Sequence, residues 1–414
     1  MENAGSLSFM LLCSAMVLLM TPGLAFFYGG LGERKNVGSN MMNSIFAMGI
    51  GILMWGLVGY SLSFGGDGLF IGSLKHFAFL GINTESMTGD IPTYAFAMFQ
   101  MMFALITPAI ITGSISGRMK FKALLPFVAL WSLIVYYPMA HMVWGQGGLL
   151  GTGWLDSIDF AGGNVVHIAS GVSGLVLCLL LGKRKGYGEK EHAAYNIPYV
   201  VLGTGLLWFG WFGFNAGSAL AADGLALHAA VATAISSGTA MVSWMAMDAI
   251  FEGKATLVGA CTGAVAGLVG ITPGAGFVPI WAAFIIGLGV SPVCFFAIKL
   301  IKDKLKIDDT LDAFGCHGVG GIFGGLMTGI FASPAVNEFS GVIYGNWGLL
   351  GRQAIAIIIS IVVAVAGTLI CAGIVRIFTK LRVEDEHEEA GLDLSLHGEN
   401  AHSFSMPALE EANQ

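Results

Sequence analysis

Charged side chains are scarce in this sequence. Asp, Glu, Lys and Arg together make up 11% of its 414 residues, against about 25% in typical soluble domains. This scarcity excludes a soluble enzyme, a disordered chain and a nucleic-acid binder, because 19 Lys and Arg residues cannot cover a globule of this size with charge. Hydrophobic residues reach 55% and the mean hydropathy is +0.77. Lipid is therefore the expected solvent for most of the chain.

Sequence motifs of several other chemistries are absent as well. The six cysteines stand singly within apolar runs and form no CxxC pair, so we expect buried thiols rather than disulfides or a metal site. The sequence contains no Walker loop, no zinc-ligand spacing and no nucleophile elbow. We therefore expect neither an enzyme nor a protein that carries a metal or another cofactor.

Long apolar runs, in contrast, are abundant. A run of 18 or more apolar residues can cross a bilayer as a helix, and the sequence contains eleven of them, which predicts an all-α integral membrane protein with eleven transmembrane helices. We expect the first run to be a helix rather than a cleaved signal peptide, because no basic residue precedes it. The runs lie at about 7–29, 41–64, 93–115, 121–144, 163–182, 196–219, 226–249, 256–273, 278–300, 313–332 and 348–378.

The basic residues are divided unevenly between the two sets of connections. Of the 19 Lys and Arg residues, only Lys75 and Arg352 fall in the set that faces one side. The positive-inside rule therefore predicts that the N-terminus is outside and the C-terminus in the cytoplasm of a cell (plasma or inner) membrane. Residues 1–378 then form the transmembrane domain, and the acidic residues 379–414 form a solvated cytoplasmic tail.

Two segments that lie 150 positions apart resemble each other. Residues 159–174 read DFAGGNVVHIASGVSG and residues 309–324 read DTLDAFGCHGVGGIFG. In each segment an Asp stands eight residues before a His, and Gly follows the His at the fourth and seventh positions. The segments fall in the fifth and tenth spans, so the two halves run in opposite directions. This is the inverted-repeat plan of many transporters, with the substrate path between the halves.

The histidines of this repeat, His167 and His317, are the main candidates for function. Ionisable groups inside a membrane are costly and usually line a cavity or pair with one another. An inverted repeat would bring these two together near the midplane, where one imidazole can donate a hydrogen bond to the other. The alternative is two separate buried histidines, each bonded to backbone carbonyl groups.

Acidic and aromatic residues supply further candidates. Asp159 and Asp309 are expected to cap the helices that follow them, and Asp159 could also attract a cation from an outer vestibule. Aromatic residues at span ends are usually interface anchors, but their ring faces also bind small cations. For Phe103 and Phe214, in the third and sixth spans, ordinary core packing is the default interpretation.

Five strings of the sequence resemble the ammonium transporter family, the Amt branch of the Amt/Mep/Rh proteins, in its prokaryotic form. The likeness runs along essentially the whole chain, and the strings occur in the family's order. They are FFYGGLGERKN (26–36), AHMVWGQGG (140–148), DFAGGNVVHIASG (159–171), GWFGFNAGS (210–218) and FGCHGVGG (314–321).

The resemblance implies a fold of two inverted five-helix repeats plus a last long helix, assembled as a homotrimer with one pore in each subunit. It implies ammonium or methylammonium as substrate and, on the cytoplasmic side, a PII-type signal protein as a regulatory partner. Residues 391–404 resemble the family's tail, which packs on the inner face of the subunits. Family members usually have Tyr where this chain has His402.

The resemblance also implies roles for individual residues. His167 and His317 match the twin histidines that line the pore. Trp144, Ser218 and Phe103 match the outer site that recruits ammonium, Phe103 and Phe214 match a stacked gate below it, and Asp159 matches an acid that supports the site without direct contact. The implied mechanism is recruitment of the ammonium ion, its deprotonation, and passage of ammonia, with or without the proton, through an apolar pore.

Two further function classes are compatible with the same spans. A neutral gas channel of the Rh type is disfavoured by Trp144 and Ser218, the residues expected to bind a cation. A signalling receptor whose transport is secondary would be favoured by a long regulatory domain, which this sequence does not show.

Overall fold

A computed structural model describes residues 3–188, 193–399 and 401 of the chain. Within these residues, ten helices are long and apolar enough to cross a membrane, and an eleventh apolar helix is shorter. His402 lies outside the described residues. The helices are α1 (Ala4–Leu31), α2 (Arg34–Phe64), α3 (Thr93–Ile115), α4 (Phe121–Gly153), α5 (Gly163–Leu181), α6 (Ile197–Gly217), α7 (Gly224–Phe251), α8 (Leu257–Ile271), α9 (Ile280–Lys304), α10 (Phe314–Phe331) and α11 (Trp347–Phe378).

The predicted spans and the observed helices agree in number and order, and their ends differ for local reasons. α2 begins earlier than expected because a 3₁₀ turn, Arg34–Asn36, leads into it. In α4 a π turn, Ser132–Tyr136, interrupts the regular helix, which continues to Trp144, the predicted end, and a short π-type turn, Leu149–Gly153, forms the last part of the span. α8 has only 15 residues, about 22 Å, because it ends at Thr272 just before Pro273.

The connections between the helices meet at two opposite ends of the bundle. At one end, which we call the basic face, the loop after α3 contacts the loop before α10 through Arg118 and Asp308, and the same Asp308 binds Arg184 after α5. At the other end, which we call the opposite face, the N–H of Phe160, before α5, donates to the carbonyl of Pro273, after α8. Odd-numbered connections thus lie at one face and even-numbered ones at the other, as eleven alternating spans require.

Glycines set the close packing of several helices, as expected for small residues in membrane helices. A Cβ added at Gly263 of α8 would lie 2.5 Å from Cβ of Trp244 in α7, and one added at Gly267 would lie 2.6 Å from Cβ of Ala240. The glycines of α8 therefore form a packing surface against α7. All six cysteines are free and buried, as predicted.

The loop between α2 and α3 is mostly irregular and lies at the opposite face. It contains a small antiparallel hairpin in which β1 (Met87–Thr88) pairs with β2 (Ile91–Pro92). The hairpin leads directly into α3, since Thr93 begins that helix.

The tail folds back onto the basic face instead of extending into solvent. The Lys120 N–H donates to the Leu381 carbonyl (2.8 Å), and the Val383 N–H donates to the Arg118 carbonyl (3.0 Å). A short helix, α12 (Asp385–Ala390), follows, and its Glu388 is buried against Arg382. The acidic composition predicts a solvated segment, and most of the acids are exposed, but Glu388 and Asp393 are buried and join the tail to the rest of the structure.

Asp393 forms the most specific contact of this tail. Its two carboxylate oxygens accept the backbone N–H groups of Gly38 (2.9 Å) and Ser39 (2.7 Å), which lie in the first turn of the regular helix Val37–Met54 within α2. The first N–H groups of a helix have no partner within the helix. A tail residue therefore supplies the cap that α2 lacks in its own sequence.

Replacing Asp393 by Ala should release the tail from α2, because a lost helix cap costs about 1 kcal/mol. We expect faster hydrogen exchange at the amides of residues 37–41 and faster tryptic cleavage after Arg382 in detergent micelles. Asp385→Ala is the matched control, because Asp385 is exposed and pairs only with Lys185 at the surface. Equal exchange in the two variants would contradict the capping role.

Candidate functional site

The two histidines of the repeat lie side by side in the interior of the bundle. Nδ1 of His167 is 3.2 Å from Nδ1 of His317, and the ring centroids are 5.3 Å apart with the planes inclined at 26°. Both rings are buried. Since only one of two facing ring nitrogens can donate, the contact requires one imidazole to be the donor and the other the acceptor.

Each histidine lies in a π turn at the start of its helix. In α5 the π turn spans Gly163–Ile168, and in α10 it spans Phe314–Gly318. The His167 N–H bonds to the Gly162 carbonyl, five residues back (3.0 Å). Such turns are rare and frequently occur at functional sites. The two halves therefore repeat a local backbone distortion, which extends the likeness seen in their sequences.

Glycines placed four residues after each histidine allow the two helices to approach. A Cβ added at Gly171 would lie 2.3 Å from the backbone nitrogen of Gly318, and one added at Gly321 would lie 3.0 Å from Cβ of His167. No side chain fits at the first position without moving backbone. The glycines of the repeat thus bring the imidazoles together, as the sequence predicted.

Asp159 and Asp309 cap the two helices in related ways. Oδ1 of Asp159 accepts the N–H groups of Gly162 (2.9 Å) and Gly163 (2.7 Å), and Oδ2 accepts that of Asn164 (2.7 Å). Oδ2 of Asp309 accepts the Phe314 N–H (2.9 Å). The carboxylate of Asp159 is buried in this cap, so its charge is directed at the start of α5.

A narrow cavity passes beside the histidine pair. The volume open to the centre of a water-sized molecule is about 10 Å³, room for roughly one water. Apart from the two imidazoles and the indole of Trp211, its walls are apolar. The lining residues are Met20, Leu24, Phe27, Ile106, Ile110, Val166, His167, Leu207, Trp211, Phe214, Val265 and His317.

Aromatic rings continue from the histidines toward the opposite face. Phe214 lies 6.1 Å from His167, and Phe103 lies 4.2 Å from Phe214, measured between ring centroids. Trp144 follows at 5.8 Å from Phe103 with the planes nearly perpendicular, at 83°. Both phenylalanines are buried, whereas Trp144 is half-buried. The rings form a column that ends at a partly open indole.

Two polar contacts fix the end of this column that lies farther from the histidines. The indole Nε1–H of Trp144 donates to the carbonyl of Asp159 (2.9 Å), which joins the column to the loop before α5. The hydroxyl of Ser218, at the end of α6, donates to the Phe214 carbonyl (2.9 Å). The predicted site residues thus form one chain of contacts, with Ser218 one turn beyond Phe214. In order along the chain of contacts they are His317, His167, Phe214, Phe103, Trp144 and Asp159.

The sequence interpretation missed Trp211. Its ring stacks on His167 at 5.4 Å and 17°, and its indole N–H donates to Oγ1 of Thr272 (2.9 Å). Trp211 therefore holds the ring of His167 by stacking against it, in the wall of the same cavity. The aromatic string at 208–218 contained the signal, but periodicity alone does not tell which ring faces a cavity.

His141 was assigned no function from sequence, and the structure gives it a structural contact. Its ring is buried, its Nδ1 lies 2.9 Å from the Ser63 carbonyl, and its Nε2 contacts the Gly68 carbonyl. It therefore anchors the loop after α2 to the end of α4, three residues before Trp144.

A charged network surrounds the base of α10 at the basic face. Arg118 is fully buried and contacts Asp308 at 3.1 Å, and Arg184 contacts the same carboxylate at 2.7 Å. Burial by itself raises the pKa of Asp308, but the hydrogen bonds from Arg184 and the charge of Arg118 outweigh it and hold the pKa below its usual value. Asp308 therefore stays ionised and fixes the loop that leads to His317.

A second, more polar cavity opens beside this network. The volume open to water-sized molecules is about 150 Å³, and its walls include Glu33, Arg184, Lys302 and Asp312. Lys302 and Asp312 form an ion pair at 2.6 Å. Water therefore has room within a few residues of His317, in contrast to the apolar cavity beside the histidine pair.

Comparison with known proteins gives a consistent result. Residues 8–402 match the Ammonium Transporter Family. The chain is 46% identical to an ammonium transporter of Bacillus subtilis, with 97% of this chain and 99% of that protein covered. It is 42% identical to the ammonium transporter Amt1 of Archaeoglobus fulgidus, with coverage of 96% and 99%.

Solved structures agree in fold. The crystal structure of Saccharomyces cerevisiae Mep2 superposes with a TM-score of 0.85 at 37% identity, covering 93% of this chain and 91% of that one. A structure described as a sensor Amt protein matches with a TM-score of 0.87 at 29% identity, covering 94% of this chain and 98% of that one.

The close approach of α5 and α10 can be tested at Gly171. Gly171→Ala places a Cβ against the Gly318 backbone, so we expect a loss of about 1–3 kcal/mol in unfolding free energy. The control is Gly205→Ala in α6, where a Cβ meets nothing and stability should stay equal or rise slightly. Thermal unfolding in detergent measures both. A Gly171→Ala variant as stable as its control would show that the contact is not tight.

Proposed function

The chain belongs to the ammonium transporter family, and we propose that it binds the ammonium ion at Trp144, Phe103 and Ser218, that the bound ion gives up a proton, and that ammonia passes His167 and His317, with or without this proton following along the histidines. It is a multi-pass membrane transporter of ammonium rather than an enzyme. The observation that carries the finer proposal is the imidazole pair in a narrow apolar cavity beneath a column of aromatic rings.

The upper end of the column has the chemistry needed to bind a small cation. The faces of Trp144 and Phe103 meet nearly at a right angle, and both carry the negative quadrupole that attracts cations. The hydroxyl hydrogen of Ser218 is engaged with the Phe214 carbonyl, so its oxygen is free to accept an N–H from ammonium. The site therefore offers cation–π contacts and one directed acceptor.

The apolar cavity selects against ions that cannot lose their charge. Moving a bare ion from water into such a cavity costs many kcal/mol, and a space of about 10 Å³ does not admit a hydration shell. Potassium is close to ammonium in size but has no proton to lose, so this full transfer free energy opposes its entry. An alkylammonium group has a pKa of roughly 10 in water, and desolvation lowers such values by several units, so ammonium can continue as neutral ammonia.

The histidine pair gives ammonia polar partners inside this cavity. Because one proton lies between the two Nδ1 atoms, a neutral pair presents one Nε2 as a donor and the other Nε2 as an acceptor. Among the residues that the structure describes, none forms a hydrogen bond with Nε2 of His167. Ammonia both donates and accepts hydrogen bonds, so it can exchange partners along the pair. It regains a proton in the hydrated cavity at the basic face.

The contact between Phe103 and Phe214 closes the path above the histidines. Ring centroids 4.2 Å apart leave no opening between the two side chains, so passage requires rotation of at least one ring. Such a rotation changes a side chain and does not require the helices to move. We propose that these two rings form the gate.

The same reasoning extends to topology and partners. We propose that the basic face is cytoplasmic, that residues 1–378 form the transmembrane domain, and that residues 379–414 form a cytoplasmic tail. We also propose a homotrimer in the cell membrane, with a PII-type signal protein as a partner at the basic face. The supports are the uneven division of Lys and Arg and the family membership.

Replacing His167 by Ala should lower ammonium uptake by about five- to a hundredfold, because a lost hydrogen bond to a desolvated polar molecule costs roughly 1–3 kcal/mol. Stopped-flow or electrical recordings on proteoliposomes, with ammonium and potassium pulses, measure uptake, selectivity and net charge movement together. His228→Ala is the control, because His228 bonds to the Val278 carbonyl away from the cavity. Full uptake that still excludes potassium would refute the role of the pair.

Replacing Trp144 by Leu should raise the half-saturating ammonium concentration by about two- to thirtyfold, the range expected from a lost cation–π contact of roughly 0.5–2 kcal/mol. Saturable methylammonium currents provide the measurement. The control is Trp154→Leu, an exposed tryptophan near the same face. Uptake by the unaltered protein that never saturates and carries no current would instead favour a neutral gas channel.

A further inference from the structure

Gln353 is a buried amide in α11, the helix that lies outside the two inverted halves. Its side chain is only 1% exposed and makes three hydrogen bonds to backbone. Oε1 accepts the Ile158 N–H (2.8 Å), and Nε2 donates to the Ile158 carbonyl (2.8 Å) and to the Gly325 carbonyl (3.3 Å). One amide thus bonds both peptide groups of a single residue and a carbonyl of α10.

The orientation of this amide follows from its partners. The Ile158 N–H can donate only to the oxygen, and both carbonyls can accept only from the nitrogen. Every donor of the Gln353 amide is therefore used. A buried polar group whose hydrogen bonds are all formed stabilises one specific arrangement of the residues around it.

The backbone that Gln353 holds leads directly to the proposed recruitment site. Ile158 precedes Asp159, whose carboxylate caps α5 and whose carbonyl accepts the indole N–H of Trp144. Gln353 thus holds the carbonyl of Ile158, and Trp144 holds the next carbonyl, that of Asp159. A shift of this backbone would move the indole and the first turn of α5 together.

The peptide groups of Ile158 lie in an irregular loop, outside any helix or strand. The loop is also held by Ser157, whose hydroxyl donates to the Leu150 carbonyl, by the Asp159 cap, by the Phe160 N–H, which donates to the Pro273 carbonyl (3.1 Å), and by packing of the Ile158 side chain against Phe277 and Leu349. These tethers remain when Gln353 is changed, so the loop keeps its course. Only the peptide groups of Ile158 lose their partners.

We propose that Gln353 is a positioning residue for ammonium recruitment: through Ile158 it sets the backbone that orients Trp144, and through Gly325 it ties this backbone to α10, the helix of His317. The inference rests on the proposed function of Trp144. It assigns to the last helix a role in substrate affinity. The effect of removing the amide should therefore appear mainly in the half-saturating concentration.

The test compares three variants with the unaltered protein in proteoliposomes, using ammonium-pulse currents. Gln353→Met keeps the volume and removes all three hydrogen bonds. Gln353→Glu restores the pairing only when its carboxyl is protonated, because a carboxylic acid can accept the Ile158 N–H and donate to the Ile158 carbonyl, whereas a carboxylate has no donor. Thr368→Val is the matched control, a buried polar residue of α11 distant from the loop.

We expect Gln353→Met to raise the half-saturating concentration about fivefold, the equivalent of roughly one hydrogen bond, with little change in maximal current. Gln353→Glu should show the same rise at pH 8 and approach the unaltered protein at pH 5. Each value is taken as a ratio to the unaltered protein at the same pH. Asp156, Asp159 and Arg352, the charged groups near this site, are present in every variant, so their titration cancels.

Each other outcome overturns a defined claim. If Trp144→Leu raises the half-saturating concentration and Gln353→Met does not, the proposed function stands and the positioning role is wrong. If Trp144→Leu has no effect, the recruitment site itself is wrong and the inference falls with it. If Gln353→Met lowers maximal current and melting temperature without raising the half-saturating concentration, or if Gln353→Glu shows no recovery at pH 5, Gln353 supports only the fold.

Discussion

The structure depends on the burial of two imidazole rings in an apolar interior. A buried polar ring needs a hydrogen-bond partner, and in this chain the two histidines supply that partner to each other through their Nδ1 atoms. The contact is possible only if α5 and α10 approach to backbone distance. The glycines of the repeat remove the side chains that would prevent this, and the π turns direct both rings toward the same cavity.

The two ends of this arrangement are stabilised by different chemistry. At the opposite face, hydrogen bonds from Trp144 and Gln353 hold the loop before α5, and a partly exposed ion pair between Arg352 and Asp156 joins the same loop to α11. At the basic face, Arg118 and Arg184 hold Asp308 in a buried ionic network. In the proposed mechanism, the charged cavity at the basic face suits the release of the ion.

The tail links the basic ends of several helices. Asp393 caps the regular part of α2, Glu388 pairs with Arg382, and the strand-like contact between Met119 and Arg382 joins the tail to the loop after α3. These contacts hold the start of α2, the loop after α3 and the tail together at the basic face.

Much of this protein could be predicted from its sequence alone, because lipid imposes simple rules. Apolar length predicted eleven helices, and the spacing of Asp, His and Gly in two segments predicted that His167 and His317 meet, since an inverted repeat brings equivalent positions to its interface. The capping by Asp159 and Asp309 was also predicted, because it depends on local backbone geometry. The family resemblance implied a packed tail, but composition alone did not, since Glu384, Glu389 and Asp393 find their partners in segments more than 190 residues away along the chain. Trp211 and Gln353 were missed for the same reason: an apolar helix in lipid has no periodic signal to show which face meets a neighbour, so only the tertiary packing decided that Trp211 stacks on His167 and that Gln353 binds the backbone of Ile158.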